Sequence, residues 1–214
     1  MSDAAAGGRR LGVLVSGRGS NLQALVDAID GGRLDATIGV VISNVADAPA
    51  LARAEKAGLE TLLVPHTESP SREAFDERLA GALTERGIRL VCLAGFMRRL
   101  SARFFECYQD PVLNVHPALL PAFPGINAVG QAFAHGVKVA GCTVHLVTPE
   151  LDGGPIVLQA AVPVLPDDTV DTLAARILIE EHRLLPAAVS LVLGGRWHLE
   201  GRRFIDPPVT APTP

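Results

Sequence analysis

Short apolar runs alternate with amphipathic stretches through most of the chain. Residues 11–16 (Leu-Gly-Val-Leu-Val-Ser) read as a buried strand, and residues 21–29 as a helix with Leu22, Leu25, Val26 and Ile29 on one face. Residues 37–43 read as a second strand, 48–57 as a helix closed by Gly58, and 61–65 as a third strand. A longer helix over 71–86 is closed by Gly87, and a fourth strand covers 90–94. Strands separated by helical stretches predict an α/β fold, a mostly parallel doubly wound sheet flanked by helices, with a Rossmann-like N-terminal half.

The pattern changes after residue 110. Residues 112–116 form a strand that Pro117 stops, and Pro117, Pro121, Pro124 and Gly125 mark a loop. Residues 127–135 predict a short helix. Residues 139–147 and 155–164 predict two long strands, joined through Leu151-Asp152-Gly153-Gly154. Asp168 or Thr169 caps a final helix that runs to about residue 193 and kinks at Pro186. No linker is visible. One domain over 11–206 is expected, with a phosphate-binding half (11–110) and a catalytic half (111–206). Residues 1–10 and 207–214 are expected to be flexible tails.

Composition narrows the partners. Apolar residues make up 48% of the chain and aromatics only 4%, too few for base-stacking platforms. The net charge is −4 and no Lys/Arg-dense run exists, so nucleic acid is not an expected partner. No apolar stretch approaches the roughly 20 residues that span a bilayer, and the run after Arg10 is too short for a signal peptide. Cys92, Cys107 and Cys142 are widely spaced, with no Cys-x-x-Cys pair. They read as ordinary buried thiols of a cytoplasmic protein, and no metal site is expected.

Three places carry candidate chemistry. Ser16-Gly17-Arg18-Gly19-Ser20-Asn21 joins the first strand to the first helix. Glycines permit a sharp turn and the helix N-terminus offers amides to an anion. Leu22 stands where a dinucleotide fingerprint would need glycine, so a monophosphate held by Gly19, Ser20 and Asn21 is expected, the alternative being an ordinary strand-to-helix turn. Asn114 and His116 leave the same face at the C-terminal end of their strand, where open α/β sheets bind ligands. An amide and an imidazole there can flank one reacting carbon, although most such histidines are structural. Asp152 is either a turn residue satisfying its own backbone or a carboxylate that favours a charged imidazole. Glu181 falls on the apolar stripe of the last helix and needs a partner, from the protein or from a ligand. Arg72 opens its helix, where a cation opposes the dipole only slightly, so a solvated arginine suffices. His66 and His135 read as loop or helix-end residues, His145 as a structural residue within its strand and His198 as part of a late surface strand, while His182 stays open.

Taken in order, Gly-Ser-Asn-Leu-Gln (19–23), Ala-Gly-Phe-Met-Arg (94–98), Asn-Val-His-Pro-Ala-Leu-Leu-Pro (114–121) and Leu-Asp-Gly-Gly-Pro (151–155) resemble the folate-dependent glycinamide ribonucleotide formyltransferases. The resemblance covers roughly residues 11–206. It implies the formyltransferase fold, transfer of a formyl group from the co-substrate 10-formyltetrahydrofolate to glycinamide ribonucleotide in purine synthesis, and no metal. It also implies that Asn114, His116 and Asp152 form the catalytic trio and that Gly19, Ser20, Asn21 and Glu181 bind the phosphoribosyl substrate. Arg72, Met97, Arg98, Arg99, Leu100 and Asn114 match positions of the folate pocket. Partners would be small molecules alone, with no membrane, and the chain a monomer or homodimer. Rival activities on the same core would call for more chain: formyl transfer to an initiator tRNA for a C-terminal domain, formyl-folate hydrolysis for an N-terminal one. A non-catalytic nucleotide-binding module would need the phosphate turn but not the trio.

Overall fold

The computed structural model describes residues 9–206; most of the two expected tails lies outside them. Arg10 already belongs to the first strand. The elements run β1 (Arg10–Val15), α1 (Ser20–Asp30), β2 (Thr37–Ser43), α2 (Pro49–Lys56), β3 (Thr61–Leu63), α3 (Arg72–Glu85), β4 (Leu90–Leu93), α4 (Ala102–Cys107), β5 (Val112–His116), α5 (Ala128–His135), β6 (Val139–Leu146), β7 (Ile156–Pro163), α6 (Val170–Gly194), β8 (His198–Glu200) and β9 (Arg203–Ile205). The strands form one sheet in the order β3-β2-β1-β4-β5-β6-β7-β9-β8. Pairing is parallel from β3 across to β5. It turns antiparallel at β5–β6 and β6–β7.

Alternation along the buried strands divides the core between two faces. Leu11, Val13 and Val15 of β1, Val41 of β2, and Leu90 and Cys92 of β4 pack on one side with α1, α2 and α6. Leu14, Val40, Ile42, Val91 and Leu93 point the other way, against Phe75, Leu79 and Leu83 of α3 and Phe104 of α4. The strands read as near-continuous apolar runs because helices cover both faces. Ser71 caps α3 by accepting from the Ala74 amide at 3.1 Å, and Thr169 with Thr172 forms a reciprocal capping box at the start of α6. Among the described residues no helix is long and apolar enough to cross a membrane.

The expected elements are present with end shifts of one or two residues. The third strand stops at Leu63, short of Pro65. Two elements were not foreseen. The helix α4 has six residues, too few to display a period, and is held by fully buried Phe104. The strand β9 has three residues and continues the sheet beside β7. The expectation of three buried thiols is corrected: Cys92 and Cys142 are buried but Cys107, at the end of α4, is exposed.

Two strand ends and their connections shape the cleft. The order reverses between β1 and β4, which opens a crevice at their carboxyl ends. Ser16, just beyond β1, stitches that crevice: its amide donates to the Gly95 carbonyl (3.1 Å), its hydroxyl donates to Asn44 Oδ1 (2.6 Å) and accepts from the Met97 amide (2.9 Å). The segment after Met97 is anchored from behind by Asp76 of α3, which is 1% exposed and accepts from the Ser101 amide at 2.7 Å. Removing that acceptor strands a buried N–H. Asp76→Ala is therefore expected to lower unfolding free energy by about 1–3 kcal/mol, read by thermal and urea melts, with Asp76→Asn closer to the parent.

Candidate active site

Gly19 precedes α1 with φ of +76°, a left-handed conformation that side chains disfavour. Space reinforces the choice, since a Cβ there would stand 2.7 Å from the Cβ of Ala50. The turn thus rests on α2, and the Ala50 amide donates to the Gly17 carbonyl at 3.1 Å. The first helical bond runs from Gln23 N–H to the Gly19 carbonyl (3.0 Å), leaving the amides ahead of it for an anion. Beside the turn a groove of about 410 Å³ follows one stripe of α1 (Ser20, Gln23, Asp27) and is edged by Arg33, Arg53 and His182. None of the three residues of the expected trio lines it.

Asn21 departs from expectation. Its side chain does not face the turn but lies buried, donating through Nδ2 to Glu181 Oε2 at 2.8 Å. Of Ser20 and Asn21, only Ser20 is left with a side chain for a ligand at the turn, and Asn21 offers its main chain. The expected partner of Glu181 is thus a neutral amide of α1. Burial pushes the Glu181 carboxyl above its ordinary pKa, while the Asn21 hydrogen bond and the nearby His116 hold it down.

Asn114, His116 and Asp152 converge. Asn114 and His116 stand on one face at the end of β5. His116 Nδ1 lies 3.5 Å from Asp152 Oδ2, with the two side chains 6% and 11% exposed. The other ring nitrogen, Nε2, is 2.8 Å from the Phe123 carbonyl. A carbonyl only accepts, so Nε2 carries a proton and Nδ1 is the site of exchange. Asp152 Oδ2 also accepts from the Gly125 amide at 2.7 Å. Both backbones that serve the imidazole are strained: Phe123 has φ of +52° and Asp152 +48°. The Leu-Asp-Gly-Gly turn closes because Gly154 has no side chain; a Cβ there would meet the Leu146 carbonyl oxygen at 1.7 Å.

One residue beside the trio was not singled out from the sequence. His145 of β6 was read as structural, but it stands directly opposite Asn114 in the β5–β6 ladder. Its Nε2 is 3.2 Å from Asn114 Nδ2 and 3.7 Å from Asp152 Oδ1. Its Nδ1 is 3.0 Å from the Leu146 carbonyl. Burial is the main cause lowering its pKa; the Leu146 carbonyl and Asp152 raise it, and His116 lowers it further. The signal was available, since an antiparallel strand after residue 116 pairs Asn114 with a residue of that strand, but only once the register was known.

The six folate-pocket positions are spread out. Arg72 is exposed in the first turn of α3. Met97 is 75% exposed and fills no core, whereas Leu100 is buried. The Arg98 guanidinium lies over the Phe75 ring, 5.5 Å from its centroid. Arg99 donates to the Pro149 carbonyl and so braces the loop that carries Asp152. Asn114 serves both sets. Among the described residues no cluster of His, Cys, Asp and Glu has the makings of a metal site.

The raised Glu181 pKa has a signed consequence. Between the ordinary glutamate value of about 4 and the raised folded value, the unfolded chain releases the proton and the folded chain keeps it. Stability from this group is present in acid and lost as pH rises across that window. Thermal melts from acid to neutral pH are expected to show the parent losing ground to Glu181→Gln and then levelling off.

The formyl transferase family model matches residues 9–189. The phosphoribosylglycinamide formyltransferase of Escherichia coli K12 is 44% identical over 195 residues, 91% of this chain and 92% of that protein. The human trifunctional purine biosynthetic protein adenosine-3 is 48% identical over 186 residues, 87% of this chain, but the chain spans only 18% of that relative's length. The crystal structure of glycinamide ribonucleotide transformylase 1 from Symbiobacterium toebii superposes with a TM-score of 0.89 at 53% identity, covering 92% of each chain. The chain belongs to the formyl transferase family and, within it, to the phosphoribosylglycinamide formyltransferases.

Proposed function

We propose that this protein moves the formyl group of 10-formyltetrahydrofolate to the amine of glycinamide ribonucleotide in purine synthesis. The observation that carries the reading is the meeting of Asn114, His116 and Asp152 beside the Ser16–Asn21 turn, with the His116 Nδ1 and Asp152 Oδ2 atoms 3.5 Å apart. In this reading the substrate phosphate lies on the free amides of Gly19, Ser20 and Asn21. Arg53 and Arg33 in the adjoining groove lend positive charge. Glu181 faces the ribose. The folate lies along residues 97–100, with Arg72 meeting its acidic tail and exposed Met97 and Leu151 offering apolar surface to its rings.

The amine attacks the formyl carbon, a C–N bond forms, and the carbonyl electrons move to oxygen. An N–H of Asn114 donates to that oxygen, and the imidazolium of His116 adds positive charge nearby. His116 acts at Nδ1, because Nε2 is held by the Phe123 carbonyl: the imidazolium gives its Nδ1 proton to N10 as that nitrogen departs, and the ring so neutralised takes the proton leaving the amine. Asp152 stabilises the charged ring. Collapse of the tetrahedral carbon breaks its bond to N10, which takes up a proton. The product is formylated glycinamide ribonucleotide and the folate without its formyl group, with no net oxidation.

The assay mixes purified protein with glycinamide ribonucleotide and the formyl donor and follows folate absorbance. Loss of one oxyanion donor typically slows chemistry by about two to three powers of ten. Asn114→Ala and His116→Ala are each expected to reduce kcat at least about a hundredfold while the chain stays folded and melts cooperatively. Near-parental turnover in both refutes the assignment.

A further inference from the structure

A primary amide has a donor end and an acceptor end of nearly the same shape, so something must fix which end of Asn114 faces the reacting oxygen. Among the described residues, the only side chain hydrogen-bonded to that amide is His145. The chain of reasoning begins at the far end, on the main chain. The Leu146 carbonyl accepts and cannot donate, so His145 Nδ1, 3.0 Å away, carries a hydrogen. A neutral ring then has a bare Nε2, which accepts. The atom of Asn114 facing it at 3.2 Å must therefore be the donor, Nδ2. One amide hydrogen is consumed there and the second remains for substrate.

We propose that His145 is a positioning residue for formyl transfer: acting through Asn114, it holds the amide with an N–H rather than its carbonyl oxygen toward the formyl oxygen. This rests on the formyl-transfer reading above. With the ring protonated at Nε2, two donors would oppose each other and the amide would turn over, setting one oxygen against another. Three features keep the ring neutral and still. It is 2% exposed. Its anchor is the Leu146 carbonyl, against which Gly154 packs. The β5–β6 ladder sets His145 directly opposite Asn114, beside a register shift between Val144 and His145 in the β6–β7 pairing. The charged and titratable groups that face it are Asp152, with Oδ1 at 3.7 Å, and the ring of His116. The carboxylate favours a proton on His145 and His116 opposes it, with burial the larger influence.

Two measurements test this. Nitrogen-15 spectra of the histidine rings between about pH 6 and 8 are expected to report His145 with a protonated Nδ1 and a bare Nε2; the opposite tautomer, or an imidazolium, overturns the proposal. A double-mutant cycle tests the route through Asn114. His145→Leu is expected to lower kcat about tenfold or more while both KM values stay within about threefold, as expected when geometry rather than binding is lost. His145→Gln, whose amide oxygen can accept from Asn114, should recover most of kcat. In an Asn114→Ala background His145→Leu should cost less than about threefold more; equal losses in both backgrounds overturn the proposal. If His145→Leu fails to fold, the Gln variant and the ring spectra still decide. If the parent does not transfer formyl at all, the functional reading fails separately. The Asn114 side-chain nitrogen signal in the parent and in His145→Gln then judges the orientation: retention in both supports it, and disappearance of the hydrogen-bonded signal in the parent overturns it.

Discussion

A carboxylate removed from water must be given donors, and the arrangement around Asp152 satisfies that demand. Its side chain is only 11% exposed. The Gly125 amide donates to Oδ2, the His116 ring stands 3.5 Å from the same oxygen, and the neutral His145 ring packs 3.7 Å from Oδ1. Each of those groups arrives on a different part of the chain: the loop after β5, the end of β5, and β6. The turn from β6 to β7 brings the carboxylate in, at a left-handed backbone angle that aspartate tolerates better than most side chains. Moving any one of these pieces would leave a desolvated charge uncompensated, which is costly enough to bind their geometries together.

The same economy governs the opposite wall. The main-chain amides at the start of α1 stay unpaired within the helix, and the side chain of Asn21 turns inward to meet Glu181. A buried acid on the long helix is thereby tied to the turn that opens the short one, 160 residues earlier in sequence. Ser16 performs a comparable service between β1, β2 and β4, with its hydroxyl both donating and accepting. The cleft floor is held by polar contacts at strand ends, while the two apolar faces of the sheet set the distance between its walls.

Much of this could be read from residue order. The alternation of buried strands and amphipathic helices carried the architecture, because helices on both faces of a parallel sheet demand continuous apolar runs such as Leu11 to Val15. Strand-end position and turn chemistry made Asn114, His116 and Asp152 candidates with structural alternatives, and only the ordered motifs of the family resemblance joined them as a trio. What stayed hidden was pairwise. The capture of Asn21 by Glu181, the brace from Arg99 to the Pro149 carbonyl and the contact of His145 with Asn114 depend on register and loop path, which no local pattern encodes. The roles of Phe123 and Gly125 lie in their backbone atoms, so side-chain identity carries little trace of them. Short elements such as α4 are defined by one buried ring and show no period.

The hydrogen-bond line from Asn114 through His145 terminates on the peptide oxygen of Leu146. A peptide oxygen belongs to no particular amino acid. Replacing Leu146 by another strand-compatible residue leaves its direction intact, whereas inserting or deleting a single residue in that strand would rotate it away. The polarity of the site is thus insulated from point substitution at its anchor and vulnerable to changes of chain length in β6.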